Sequence, residues 1–522
     1  MMDFPGPRTV YILTALALLT PACGVRKAHA PSLAQDEILV VGPWEIPSLD
    51  PLGSGSQFMR MQVTETLVDA ASDGTVLPGL AAKWSTSTDG LTWKFELRRN
   101  VRFHDGSVLT AASALPSLKR ALVEPGSLAL APIESLAENE DEIVVQLRKP
   151  FPALPALFAH SSTQILAPSS FQSTGEVRSI VGTGPYRVLS IARPQSFTVA
   201  AFDGWRDDPP LVRRAVYLSV SRSETRALMA ESGQADLVFA LDPASLTRLR
   251  ANPRVAVEAV SIPRTIALKL NSGNVCLEDV RTRRAISLAI DRKRIARAIL
   301  RDPEMAATQL FPPTLAGWHN PRLAPLEFDP VMARRLLADA GWRKSGQGML
   351  DLGGACSSLE LLTFVDRPEL PLLSAVIQEQ LRQVGLHVEV NIGNSGDIPF
   401  GHRAGTLTMA LMARNYGNTP DPLVTLMGDF GERGGDWGAM NWHSPEVTTL
   451  FEALVRSPDR AATQPLERGR VAQILQSELP VIPIAWYRQT VTVGPRVSGV
   501  SLDPFERSYR LTQIRWTNGG AH

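Results

Sequence analysis

Apolar residues alternate with polar ones through Trp84, Trp93, Phe95, Leu97 and Phe103, and two Asp-Gly pairs, Asp89-Gly90 and Asp105-Gly106, break the run. Alternation at a period of two, punctuated by turn residues, predicts short strands. Residues 107–122 then read as a helix. Further on, Gly182-Thr183-Gly184-Pro185-Tyr186 reads as a turn with a strand at 187–191 after it. Residues 223–231 read as a helix stopped by Gly233, followed by a buried strand at 235–238. The same helix–Gly–strand unit returns at 373–390: the helix runs over 374–384, Gly385 takes the left-handed stop, and 386–390 is the strand. Asp329-Pro330 opens another helix, with Asp as N-cap and Pro at the first position, and Gly341 closes it. Together these predict an α/β architecture with mixed sheets. Neither an internal repeat nor a low-complexity linker interrupts the pattern, so lobes within it are joined by strands rather than by a tether.

The N-terminus changes the picture by fixing a compartment. An apolar run at 10–19 follows Arg8 and precedes small residues, the build of a secretory signal. It is too short for a membrane-spanning helix, which needs about 20 apolar residues. Two cleavage sites compete. Thr20-Pro21-Ala22-Cys23 resembles a lipoprotein processing box in which Cys23 is lipidated, though Thr20 stands where such boxes usually carry Leu; Ala28-His29-Ala30 is an A-x-A site, though Pro31 follows it. Either predicts an exported product, periplasmic or extracellular; the second gives a signal segment at 1–30, and the first makes a lipid-anchored Cys23 the first mature residue. With 522 residues, 44% of them hydrophobic, the chain can bury a sizeable core in two or more lobes. A net charge of +1, with basic and acidic residues intermixed, offers no field for nucleic acid. Beyond Cys23, Cys276 and Cys356 are either a disulfide or two small buried thiols.

Five segments taken in order carry a family resemblance. They are residues 76–122, the turn at 182–186, residues 266–295 ending in AIDR, residues 328–342 (FDPVMARRLLADAGW) and residues 478–486 (ELPVIPIAW). They resemble, in the same order, the landmarks of the family 5 extracellular solute-binding proteins, the receptors that hand peptides, nickel chelates and similar solutes to ABC importers. The likeness runs from about residue 36 to about residue 508. It implies a two-lobe periplasmic-binding-protein fold (type II, Venus-flytrap): lobe I at 36–264 with a subdomain at about 76–181, lobe II at 265–483, and a C-terminal return to lobe I at 484–518. Strand crossings near 262–268 and 481–485 would then form the hinge. Closure on a solute takes roughly 5 kcal/mol of preference for the closed form. The implied protein is a monomer without a cofactor, whose partners are a small solute and the permease subunits of an importer.

The same resemblance nominates site residues. Residues 411–430 resemble the cleft-lining loop, anchored by Asp421-Pro422. Peptide-binding relatives place an Asp three residues before that pair, where it accepts the peptide ammonium. Here that position is Asn418, which loses the charge-assisted part of the bond. Arg414, Tyr416 and Gly417 are closer to the nickel-binding branch, and Met59 falls where that branch places a cleft methionine. That branch's metal-ligating His has no counterpart after Pro422, where residues 431–435 lie. Ser127 and Ser161-Ser162 stand near the positions of its anion-clamping arginines. Nickel binding is therefore not carried over. Met59, Arg414, Tyr416, Asn418 and Asp421 remain the expected ligand-binding residues. Arg414 either holds a ligand carboxylate in bidentate fashion or pairs with a local acid such as Asp421. Tyr416, Trp437, Trp442 and Trp44 either stack on a ligand or pack in the core. The loop at 53–56, Gly-Ser-Gly-Ser, either presents backbone N–H groups or is plain loop.

Catalysis and protein-built metal sites find little support. His104, His160, His319, His387, His402 and His443 never fall at i, i+3 or i, i+4, and there is no CxxC. Nucleophile elbow, HExxH and Walker loop are absent, and Gly182-Thr183-Gly184 lacks the third glycine of a dinucleotide turn. The expectation is a receptor, not an enzyme, with a short peptide or peptide-like solute first and a metal chelate or opine-like conjugate second. A binding protein used only for sensing is the remaining alternative.

Overall fold

One mixed sheet runs through both halves of the molecule. The computed structural model describes residues 36–53, 56–123, 126–345, 348–365, 367–432, 434–456 and 464–517. The signal segment at 1–30 with Cys23, and Ser54 and Gly55, lie outside the described residues. The sheet's strands in chain order are β1 (Glu37–Gly42), β2 (Tyr186–Ala192), β3 (Ser196–Ala201), β4 (Arg214–Ser219), β5 (Leu237–Phe239), β6 (Ala256–Leu270), β7 (Leu359–Phe364), β8 (Val388–Gly393), β9 (Met409–Asn415) and β10 (Val481–Val493). Their spatial order is β8-β7-β9-β6-β10-β5-β1-β4-β3-β2. Parallel pairs occur where a helix can cross over, as in β7 and β8, joined through the helix Glu369–Gln383.

Antiparallel β6 and β10 join the two halves of the sheet. Ala256 to Ser261 pair with Val493 back to Arg488, and Thr265 to Lys269 pair with Trp486 back to Val481. Between the two ladders, Ile262, Pro263 and Arg264 stand opposite Tyr487 alone. Pro263 has no N–H to give a ladder, so a break in register is expected at that point. A second slip separates Ile266 from Ala267, close to Pro483 on the partner strand. The two irregularities make this ribbon the place where the sheet can bend.

In lobe I, β1 is buried on both faces. Ile38 and Val40 join a cluster with Phe58, Phe197, Tyr217 and the C-terminal Tyr509 and Leu511, whereas Leu39 and Val41 pack with Ala227 and Leu249. A continuous apolar run is what a doubly covered strand requires. The subdomain is a four-stranded antiparallel sheet, Ala81–Thr86, Thr92–Leu97, Glu142–Leu147 and Ile133–Asn139 in spatial order. Trp93, Phe95 and Leu97 alternate inward there, as their spacing predicts. The following helix spans Ala111–Arg120, a shorter stretch than 107–122. Asp105 holds the Ser107 N–H and hydroxyl in a turn, and Thr110 with Ser113 then forms a reciprocal capping box.

Lobe II packs Leu361, Leu373, Ile377, Leu381, Met409 and Leu411 around β7–β9. Its helix Glu369–Gln383 starts earlier than residue 374, and Gly385 takes its stop at φ +99°. Asp329 caps Pro330–Asp339, accepting from the N–H groups of Val331 and Met332. Cys276 and Cys356 form a disulfide with Cα atoms 5.7 Å apart, which settles the alternative between bridge and free thiols.

Candidate functional site

The break in β6 brings Arg264 to the seam between the lobes, where it forms a buried ion pair with Glu506 of the C-terminal return. The Arg264 guanidinium carbon lies 5.2 Å from the Tyr487 ring centroid, and that of Arg367 from lobe II lies 5.2 Å from the same ring. Arg60 from lobe I stacks 4.5 Å above Trp44 and donates from Nε to the Glu506 carbonyl at 2.7 Å. Burial works to raise the Glu506 carboxyl, but Arg264, Arg60 and Arg367 outweigh it and hold it below its usual range. Burial, opposed by Glu506 and aided by the neighbouring guanidiniums, pulls Arg264 below its usual value. Tyr487 is pushed up to about 12, by burial first and then by Glu369, so its hydroxyl stays protonated.

This knot divides the cleft into two chambers. The larger spans roughly 750 Å³ and the smaller roughly 400 Å³, both counted with the solvent at their mouths. Trp44 and Leu241 line the larger from lobe I, Met305, Arg367 and Glu369 from lobe II, Arg264 and Tyr487 from the β6–β10 ribbon, and Glu506 from the C-terminal return. Arg367 and Glu369 are there because β7 ends at Phe364 and the chain turns into the helix Glu369–Gln383 at the cleft face. Arg264 Nε and Glu369 Oε1 are buried without a hydrogen-bond partner among the described residues. The smaller chamber holds Met59, Arg60 and His160 from lobe I against Asn415, Gly417 and Asn418 of lobe II, and it shares Glu506 with the larger. His160 Nδ1 accepts from the Ser162 N–H at 3.0 Å, which leaves Nε2 as its free nitrogen.

The five residues nominated from sequence divide between cleft and framework. Met59 and Asn418 meet in the smaller chamber, where Asn418 is exposed and accepts from Asn415 Nδ2 at 2.8 Å. Arg414 is held in bidentate fashion by Asp429, at 2.6 and 2.8 Å, rather than by Asp421. Tyr416 is buried, packs edge-on against Phe311 at 5.8 Å, and donates its N–H to the Pro263 carbonyl at 2.7 Å. A Cβ on Gly417 would stand 2.3 Å from Pro263 Cγ, so glycine lets the loop lie against the hinge strand. Asp421 accepts from Trp318 Nε1 (3.2 Å), the Leu423 N–H (3.0 Å) and Arg468 (2.7 Å). Of the other aromatics, Trp437 packs on Phe364, Trp442 donates to Glu478 at 2.7 Å, and Trp44 faces the larger chamber.

Arg60, Arg264, Arg367, Glu369, Tyr487 and Glu506 escaped the sequence reading. The one available signal was Arg264 itself, a lone charge opening the apolar run that continues to residue 268. Among the described residues no group of three or more His, Cys, Asp or Glu is placed to hold a metal. His104, for instance, spends both ring nitrogens on the backbone of Gly182 and Gly184.

Comparison with known proteins follows from this geometry. The model of the bacterial extracellular solute-binding proteins, family 5, matches residues 75–437. The nickel-binding periplasmic protein of Escherichia coli (strain K12) is 25% identical over 521 residues, covering 96% of this chain and 98% of that protein. The glutathione-binding protein GsiB of Salmonella choleraesuis (strain SC-B67) is 25% identical over 381 residues, 71% of this chain and 72% of that one. NikA from Brucella suis, solved in complex with Fe(III)-EDTA, has a TM-score of 0.83 at 22% identity, covering 92% of this chain and 100% of that one. At that identity the likeness is one of fold.

Proposed function

The chain belongs to the bacterial extracellular solute-binding proteins, family 5, and from that premise we propose that its two lobes close on a small solute carrying a carboxylate and present it to the permease subunits of an ABC importer. The observation that carries this reading is the larger chamber, where Arg264 and Arg367 flank the Tyr487 ring and one guanidinium nitrogen is left without a partner. A buried guanidinium with a free donor gains most from a planar anion, since charge-assisted bonds are about twice as strong as neutral ones. Trp44 and Leu241 supply the apolar wall that a side chain or chain segment of the solute needs. A short peptide or peptide-like compound fits this chemistry first. A chelate built from carboxylates fits second, favoured by Met59 and the free nitrogen of His160 in the adjoining chamber. Bending of the β6–β10 ribbon at residues 262–264 is the motion that brings the lobes together.

The protein acts as a monomer after export, with Cys23 as a candidate lipid anchor. No helix among the described residues is long and apolar enough to cross a membrane. Native mass spectrometry of protein exported by its own host, compared with the same sample after unfolding, tests the reading. A small carboxylate-bearing solute released on unfolding is the expected result. A released solute without a carboxylate, such as a bare metal ion or a neutral sugar, would overturn the carboxylate, and an empty protein with no solute found by thermal-shift screening would overturn the receptor.

A further inference from the structure

Glu369 is the first residue of a 15-residue helix, a position where a carboxylate usually accepts from a free backbone N–H of the first turn. Its Oε1 does not: it is buried and has no hydrogen-bond partner among the described residues. The whole residue is only 6% exposed, so bulk water does not replace that partner. In the same chamber Arg264, 7% exposed, leaves Nε unpaired. One orphan acceptor and one orphan donor of opposite charge therefore line a single cavity. Each is costly while unmet, and a ligand that meets it recovers that cost. The other carboxylates near the cleft are already taken: Glu506 by Arg264, Asp302 by Arg488, and Asp421 by Arg468.

We propose that Glu369 binds the ammonium group of the solute while Arg264 and Arg367 bind its carboxylate, so that the cargo is an amine-bearing amino acid conjugate or peptide. This rests on the reading of the larger chamber as the solute site, and it moves the amine from the loop position Asn418 to the start of the helix Glu369–Gln383. A neutral Asn at 418 is then no obstacle to a free amine, because the charge that receives it sits on another element of lobe II. Glu369 already feels the Arg367 charge and the Tyr487 ring, so the place left for an ammonium is the unpartnered Oε1.

The test uses the full exported chain, stripped of bound solute by reversible unfolding, and two probes: a tryptic casein hydrolysate and the same hydrolysate acetylated on its amines. Retained solutes are read by mass spectrometry. Wild type should retain members of the untreated hydrolysate and none of the acetylated one. Glu369→Gln should bind the retained compounds roughly 10–100-fold more weakly, with its thermal midpoint unchanged to show that the fold survives. Equal retention from both hydrolysates, or full affinity in Glu369→Gln, would overturn the amine anchor and leave the receptor reading intact. Retention from neither overturns it as well; if protein taken directly from the host is also empty, the receptor reading falls with it.

Discussion

The two chambers on either side of the Arg60–Glu506 contact differ in where their chemistry comes from. The smaller takes its lobe II wall from a loop, and most polar side chains of that loop are spent on holding its own shape. Arg414 answers Asp429, Asp421 answers Arg468 and Trp318, and only Asn418 is left at the surface. The larger is built from hinge strands and a helix start, elements fixed by the sheet, and these can hold charged groups whose bonds are incomplete. A rigid scaffold can support an unmet donor or acceptor; a loop must satisfy its own before it has a shape to offer.

The comparison breaks hardest at Arg264. Replacing it with Met leaves Glu506 buried beside only part of its counter-charge, a loss of about 3–5 kcal/mol in denaturant-measured stability. Affinity for the native solute should fall by on the order of 100-fold in calorimetry. Adding Glu506→Gln should return much of the stability and none of the affinity; recovered affinity would mean that the larger chamber does not recognise the anion.

A smaller effect is expected from pH. Burial lowers His104 and His160 from 6.5 to about 4. Each is therefore neutral when folded but takes up a proton when unfolded between those values. Their contribution to stability is complete above pH 6.5 and is lost as pH falls towards 4, on the order of 3 kcal/mol for each. Replacing either with Gln should flatten that limb of the stability–pH curve. His160 borders the smaller chamber, so bound solute that shifts its titration alone would give that chamber a part in recognition.

The smallest change is expected at Asn418, although its position drew attention first. Asn418→Asp should alter affinity for an amine-bearing solute by less than about threefold, because an exposed carboxylate there is screened by water. A large gain would return the amine to the loop and reverse the comparison between the chambers.

Much of the fold was legible because its signals are local. Asp329-Pro330, Gly385 and the alternation of Trp93, Phe95 and Leu97 each report a cap, a stop or a strand from a few neighbouring residues. Helix starts were less legible: residue 107 is held back by Asp105, and Ser374 already lies in the second turn of the helix that begins at Glu369. The larger chamber was illegible for a different reason. Arg60, Arg264, Arg367, Tyr487 and Glu506 come from distant parts of the chain, and no spacing rule links them. Tyr416 misled in the opposite sense, since an aromatic in a cleft loop and an aromatic under it look alike in sequence.

The placement of β10 has a consequence for how the chain is made. It lies between β5 and β6, the central position of the sheet, yet it is the last of the ten strands to be synthesised. Until residues 481–493 emerge, both halves carry an open strand edge facing the gap that β10 fills, and neither can finish its ladder. A message truncated before that point would yield a product with two sticky margins rather than one finished half. The chain's last part thus decides whether the first has folded.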